Sequence, residues 1–200
     1  MDKLVKIILI LLFSINVFAS VFNYGVKIGG TYSNADVYRS IESTDKFTNN
    51  DYYWGTFFSF YGYRNLYKII DLQFEANYNQ RGVKYYDNES NTIYTTIPSL
   101  ELVSLLKLNI DYFILYTGVF ASWSFYDKIE SSSPNSSPYT GGGGATLDYG
   151  YTLGFEIKYE KYLIDLRYNQ GFDDFIDYAG GESRHYSNSK QFVLSFGYEF

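Results

Sequence analysis

The segment IIDLQFEANYNQRGV, residues 69–83, alternates apolar and polar residues from Ile70 to Asn79. Ile70, Leu72, Phe74, Ala76 and Tyr78 fall on one face of an extended chain, and Asp71, Gln73, Glu75, Asn77, Asn79 and Arg81 fall on the other. A period of two marks a strand whose two faces meet unlike surroundings, and no helical period fits. The run is also long. Strands of globular proteins usually have about five or six residues, whereas a tilted strand needs about ten to cross a bilayer.

The pattern recurs. YGYTLGFEIKY sets Tyr149, Tyr151, Leu153, Phe155, Ile157 and Tyr159 against Gly150, Thr152, Gly154, Glu156 and Lys158. QFVLSFGYEF sets Phe192, Leu194, Phe196, Tyr198 and Phe200 against Gln191, Ser195, Gly197 and Glu199. The periodicity predicts eight strands, at Tyr24–Asn34, Tyr52–Tyr63, Ile69–Val83, Thr95–Asn109, Tyr112–Tyr126, Asp148–Tyr159, Tyr162–Phe175 and Ser189–Phe200. The connections alternate strictly. Long polar segments (DVYRSIESTDKFTNN, YYDNESNTIY, DKIESSSPNSSPYTGGGGA, IDYAGGESRHYSN) trade places with short turns at RNLYK, Asn109–Asp111 and Glu160–Lys161. Long loops on one side and tight turns on the other are the plan of an antiparallel up-and-down transmembrane barrel, with the turns on the periplasmic side.

The polar faces decide between a soluble and a membrane barrel. They carry Lys27, Asp71, Glu75, Glu101, Lys107, Glu156, Lys158, Asp165 and Arg167 among Gly, Ser, Thr and Asn, while the apolar faces carry large Tyr, Phe, Leu and Ile. Eight strands enclose an interior only just wide enough for side chains. Small residues and a few charges fit there; eight strands' worth of aromatics do not. The apolar faces are therefore expected to meet lipid, and the nine charged residues to form a paired network inside, since an unpaired buried charge is costly.

The rest of the composition agrees. Aromatics make up 22% of the chain, with 24 Tyr and 17 Phe against 3 Pro, which favours strands and supplies the interfacial girdles of a membrane barrel. There is no cysteine and the net charge is −6, so thiolate metal sites are absent and nucleic acid is a poor partner. At the start, MDKLVKIILILLFSINVFAS has Lys3 and Lys6, an apolar run, then Val17-Phe18-Ala19. That reads as an export signal over residues 1–19, cut between Ala19 and Ser20, followed by one barrel domain over 20–200. No metal or cofactor motif is present. GGGG at 141–144 lacks the Lys-Ser/Thr of a phosphate loop, and Asp87-Asn88-Glu89 does not have the spacing of a calcium loop.

Several motifs resemble the outer membrane protein beta-barrel family, the porin-family or PorT-like group of small barrels akin to OmpA and OmpX. NYGVKIGGTYSN is similar to its opening strand, LQFEANYNQRGVKY and LELVSLLKL to two central strands, and DLRYNQGF with NSKQFVLSFGYEF to its closing pair. Phe74 and Val103 stand where that family often has proline. The resemblance implies an outer-membrane location and no defined activity. The ending with Phe196, Tyr198 and Phe200 also looks like the C-terminal signal read by the barrel-assembly machinery, which acts by adding a strand to a sheet edge.

One stretch raises chemistry. RHYSN holds the single histidine, His185, with Ser187 two residues on, similar to the H-x-S-N motif of PagL-type lipid A deacylases. There the His activates the Ser, and an acid orients the His. Glu199 has the matching spacing from Ser187, but it lies fourteen residues beyond His185 on one extended segment, roughly 45 Å away at about 3.3 Å per residue. Glu182 and Asp177 are the remaining acids, both in the last long loop, and His185 itself reads as an ordinary loop residue.

Together these readings predict an eight-stranded outer-membrane barrel, non-enzymatic, without cofactor and monomeric. Its partners would be membrane lipids, the assembly machinery during biogenesis and a ligand met by four outer loops. A narrow solute channel, a PagL-like deacylase and a PorT-like secretion component stand as alternatives.

Overall fold

A computed structural model describes residues 23–38, 51–86, 92–124, 127–131, 139–141, 146–172, 175–179 and 182–200. The expected signal segment, with Ala19 and Ser20, lies outside the described residues, as does Asp87-Asn88-Glu89.

Eight long strands form the wall. They are β1 (Asn23–Tyr38), β2 (Asp51–Tyr67), β3 (Ile70–Tyr86), β4 (Thr92–Ile110), β5 (Phe113–Ser124), β8 (Thr146–Tyr159), β9 (Tyr162–Gly171) and β11 (Glu182–Glu199). Three short strands, β6 (Asp127–Ser131), β7 (Tyr139–Gly141) and β10 (Phe175–Ala179), continue the pairing beyond it. Every pairing is antiparallel. The wall runs β3-β2-β1-β11-β9-β8-β5-β4, and β4 pairs back onto β3, so the ring is closed. Closure gives each backbone a neighbour on both sides, which a strand in lipid requires.

Residues 70–83 lie in the longest unbroken ladder. β3 and β4 stay in step from Ile70↔Leu108 to Tyr86↔Thr92 with no bulge. Elsewhere the register slips, between Asn34 and Asp36 in β1 and between Tyr52 and Phe57 in β2. Three wall hairpins close through two-residue turns whose first residues, Lys68, Asp111 and Glu160, have φ of 35°, 54° and 53°. Hydrogen bonds between neighbouring hairpins finish this rim, from Asn109 N to Ile69 O (2.8 Å), Lys158 N to Tyr112 O (2.9 Å) and Glu199 N to Lys161 O (2.8 Å). We call this the turn end and the opposite rim the loop end.

The strands outrun their expected limits mainly at the loop end. β3 reaches Tyr86, β4 begins at Thr92 and β11 begins at Glu182, while β6, β7 and β10 occupy parts of segments expected to be loop. The ladder continues there through sequences such as DKIES and ESRHYSNS, which are mostly polar. The apolar alternation that reveals a strand fades although the pairing persists.

The outward faces form an apolar belt, with Ile28 65% exposed and Leu194 60%. Aromatics gather at its two edges. At the turn end Tyr24, Phe200, Tyr198, Tyr162 and Phe196 follow one another with ring centroids 5.5–5.8 Å apart. Toward the loop end Tyr32 lies 4.4 Å from Tyr52 and 4.6 Å from Trp54. An apolar band between two aromatic girdles is the outer surface of a membrane barrel. Phe196, Tyr198 and Phe200 belong to the lower girdle, where Phe200 N also donates to Tyr24 O (3.0 Å).

Candidate functional site

The inward faces converge on the lumen. Lys27 of β1, buried with its side chain fully shielded, reaches three strands at once: Glu75 Oε1 at 3.0 Å, Glu156 Oε1 at 2.7 Å and Asp165 Oδ2 at 2.8 Å. Arg167 of β9 grips Glu75 of β3 in a fork, Nη1 to Oε2 at 2.6 Å and Nη2 to Oε1 at 2.8 Å, and touches Asp165 at 3.1 Å. A planar guanidinium suits such a two-bond contact, and the charge-assisted bonds are the strong kind. Tyr116 donates to Asp165 Oδ1 and accepts from Arg167 Nε at 3.2 Å. Lys107 donates to Glu156 Oε2 and, at 2.9 Å, to Gln73 Oε1. Three cations and three carboxylates thus make one neutral knot spanning five strands, and Tyr116 joins it from a sixth.

The other charged residues of the expected network sit apart from this knot. Lys158 pairs with Glu199 at 2.6 Å near the turn end, where Tyr63 also donates to Glu199 at 2.7 Å. Asp71 accepts from two amides, Asn65 Nδ2 at 2.9 Å and Asn109 Nδ2 at 2.8 Å, and has no ion-pair partner among the described residues. Glu101 has no ion-pair partner among the described residues; only Asn77 Nδ2 reaches its Oε1, at 3.1 Å. The expectation that Lys27, Lys107, Lys158 and Arg167 neutralise Glu75, Glu101, Glu156 and Asp165 is corrected at Glu101. Asp71 and Glu101 both lie on luminal faces. Glu101 stands opposite Asn77, and Lys107, opposite Asp71 in register, bonds to Glu156 and Gln73 instead.

A second layer was not anticipated. Toward the loop end Arg81 pairs with Asp148 at 2.7 Å, and Ser122 and Ser189 complete the cluster. Asn79 and Gln191 exchange two amide bonds of 3.0 and 2.8 Å across the interior, with Asn169 joining at 3.1 Å. Arg81 shares the phase of Glu75 and was legible as luminal. Asp148 stood at the edge of its expected strand, so its face gave little signal.

The lumen is also less polar than its sequence suggested. Phe57, Tyr61, Val103, Leu105, Tyr116, Phe120 and Leu163 are buried inside it. Room for them comes from glycines directly across the ladder. A Cβ on Gly154 would lie 2.3 Å from Tyr116 Oη, and one on Gly25 would lie 2.5 Å from Tyr61 Oη. Each aromatic lies over the bare backbone of its registered partner, a recurrent way of covering strand glycines.

Glu182, His185 and Ser187 lie within β11, not in a loop. The expectation of a loop histidine is corrected by the β10–β11 hairpin, which pairs Asp177 with Arg184 and Ile176 with His185. On the other side Tyr38 stands opposite His185 and Asp36 opposite Ser187. Asp36 is an acid that spacing alone did not bring forward. Glu199 stands at the far end of the same strand, so it cannot orient the imidazole of His185.

No protein-family model matches the chain, and no curated protein matches it. Solved structures do. The outer membrane protein OprG from Pseudomonas aeruginosa matches at 14% identity and a TM-score of 0.51, covering 89% of this chain and 96% of that one. Ail, the attachment invasion locus protein of Yersinia pestis, solved with the heparin analogue sucrose octasulfate, matches at 13% and 0.48 over 90% and 99%. Neisserial surface protein A matches at 14% and 0.47 over 88% and 95%. With the closed ring, the lipid-facing belt and the paired girdles, the likeness to OprG makes this chain a small eight-stranded antiparallel β-barrel of the outer-membrane type.

Proposed function

We propose that the protein is a non-enzymatic outer-membrane scaffold, a rigid anchor that holds its loop-end segments at the cell exterior. The observation that carries this reading is the filled lumen. Lys27 bonds to β3, β8 and β9 together, and Arg167 crosses from β9 to β3. Side chains that span the interior occupy the path a solute would take. At the loop-end mouth a cavity of about 20 Å³, lined by Arg81, Asp148, Ser189 and Ser33, has room for a single water molecule.

On this reading function lies in what the outer segments touch. β6, β7 and β10 build outward from the wall strands, giving those segments a paired base. Membrane lipids meet the belt, the assembly machinery meets β11 during insertion, and a ligand outside the cell meets the loops of a monomer. Planar-bilayer recording tests the filled lumen. Purified protein is expected to give no large steady conductance, and well-defined porin-like steps would replace the scaffold with a solute channel.

A further inference from the structure

The knot of Lys27, Lys107, Arg167, Glu75, Glu156 and Asp165 balances its own charge. Glu101 is left over. It is 1% exposed and sits deep in β4, facing its register partner Asn77, also 1% exposed, on β3. The charges that act on it are those of Arg81, Arg167 and Glu75, and each is already committed elsewhere, Arg81 to Asp148 and Arg167 to Glu75 and Asp165.

The bonds within the pair are informative. Asn77 Nδ2 spends its two hydrogens on Glu101 Oε1 at 3.1 Å and Glu75 Oε2 at 3.3 Å. That fixes the amide, because the flipped form would aim its oxygen at two carboxylate oxygens. Two atoms then remain without a partner, Asn77 Oδ1 and Glu101 Oε2. They are the second oxygens of two groups already joined by one bond. Both are acceptors, so neither can satisfy the other, and Glu101 has no ion-pair partner among the described residues.

We propose that Asn77 and Glu101 form a luminal binding site for a single proton. A proton on Glu101 Oε2 turns that atom into a donor, for which Asn77 Oδ1, on the side chain already bonded to Oε1, is the unpartnered acceptor. One added proton removes the surplus charge and satisfies both unpartnered atoms. The product is a two-bond acid–amide pair, with Nδ2 donating to Oε1 and Oε2 donating to Oδ1, and it ties β3 to β4 inside the lumen. The site goes beyond the scaffold reading and stands whether or not that reading does.

Infrared spectroscopy of the refolded full chain tests it. The wild type is expected to show the C=O stretch of a protonated carboxylic acid, shifted in deuterated buffer and absent from Glu101→Gln. A glutamine at this position reproduces both bonds of the acid, so Glu101→Gln is expected to unfold at the wild-type temperature, whereas Glu75→Gln is expected to unfold at a lower one. Asn77→Ala removes the acceptor and should move the acid band, which keeps the test open if Glu101→Gln fails to fold. A wild type with no protonated-acid band would overturn the proposal in favour of an ionised Glu101 that binds water. Unfolding that depends on sodium or potassium in wild type but not in Glu101→Gln would overturn it in favour of a cation site. A band that neither variant alters would place the proton on another residue.

Discussion

Arg167 and Glu75 face each other from opposite sides of the barrel and are joined by two parallel bonds, with neither side chain exposed to solvent. The pair sits where Lys27 and Asp165 also meet, so removing either member leaves a buried charge with too few partners. Arg167→Ala is expected to destabilise the folded barrel by about 3–5 kcal/mol, read as a lower urea midpoint in detergent. Replacing both with apolar residues of similar volume is expected to cost less than the single change. A double variant as unstable as Arg167→Ala would show that the remaining knot, not the stranded carboxylate, sets the penalty.

A closed ring has no edge from which to unzip. Unboiled protein in dodecyl sulfate is therefore expected to migrate differently from boiled protein, while the belt keeps it in the membrane fraction. Identical mobility together with recovery in a soluble periplasmic fraction would contradict the membrane barrel.

Tyr116 occupies the space that a side chain at Gly154 would need. Gly154→Val is expected to force the ring off Asp165 and Arg167 and to destabilise by about 1–3 kcal/mol, the usual cost of overpacking. Tyr116→Phe keeps the ring and removes the hydroxyl, and is expected to cost roughly 1–3 kcal/mol because Asp165 loses a donor. Equal thermal unfolding of Gly154→Val and wild type would show that the ring relocates freely.

His185 and Ser187 stand two residues apart on β11. If they are structural, expression of the wild-type chain in a host outer membrane leaves the lipid A mass spectrum unchanged, and His185→Ala and Ser187→Ala insert like wild type. Loss of an acyl chain from lipid A with wild type, abolished by either substitution, would establish the hydrolase instead. In that event Asp36, opposite Ser187, becomes the first acid to substitute.

The wall was legible because lipid demands apolar side chains at every second position, and residues 70–78 meet that demand. The luminal phase of Lys27, Glu75, Glu156, Asp165 and Arg167 followed from the same count. Their pairing did not. Lys27 and Asp165 are 138 positions apart, and which residues meet across a barrel depends on register and stagger that no local pattern encodes. For the same reason alternation placed Glu101 on the inner face but could not show that its neighbour is Asn77. The luminal aromatics escaped notice because a ring over a registered glycine looks, in one dimension, like two unrelated residues. The outer strands were missed where the sequence, as in DKIES and ESRHYSNS, carries no apolar alternation.

β1 and β11, the first and last strands described, pair with each other from Gly25↔Glu199 to Tyr38↔His185. This seam has consequences in time. It is the pairing of longest sequence separation, and such contacts form slowly because the entropy of closing the intervening loop must be overcome first. Until the seam forms, both strands offer unpaired backbone, and a chain stalled at that stage is a sticky sheet with two open sides. The step that finishes the molecule is therefore also the one during which it is most exposed to aggregation, and a chaperone that shields β1 or β11 would protect the chain over that interval.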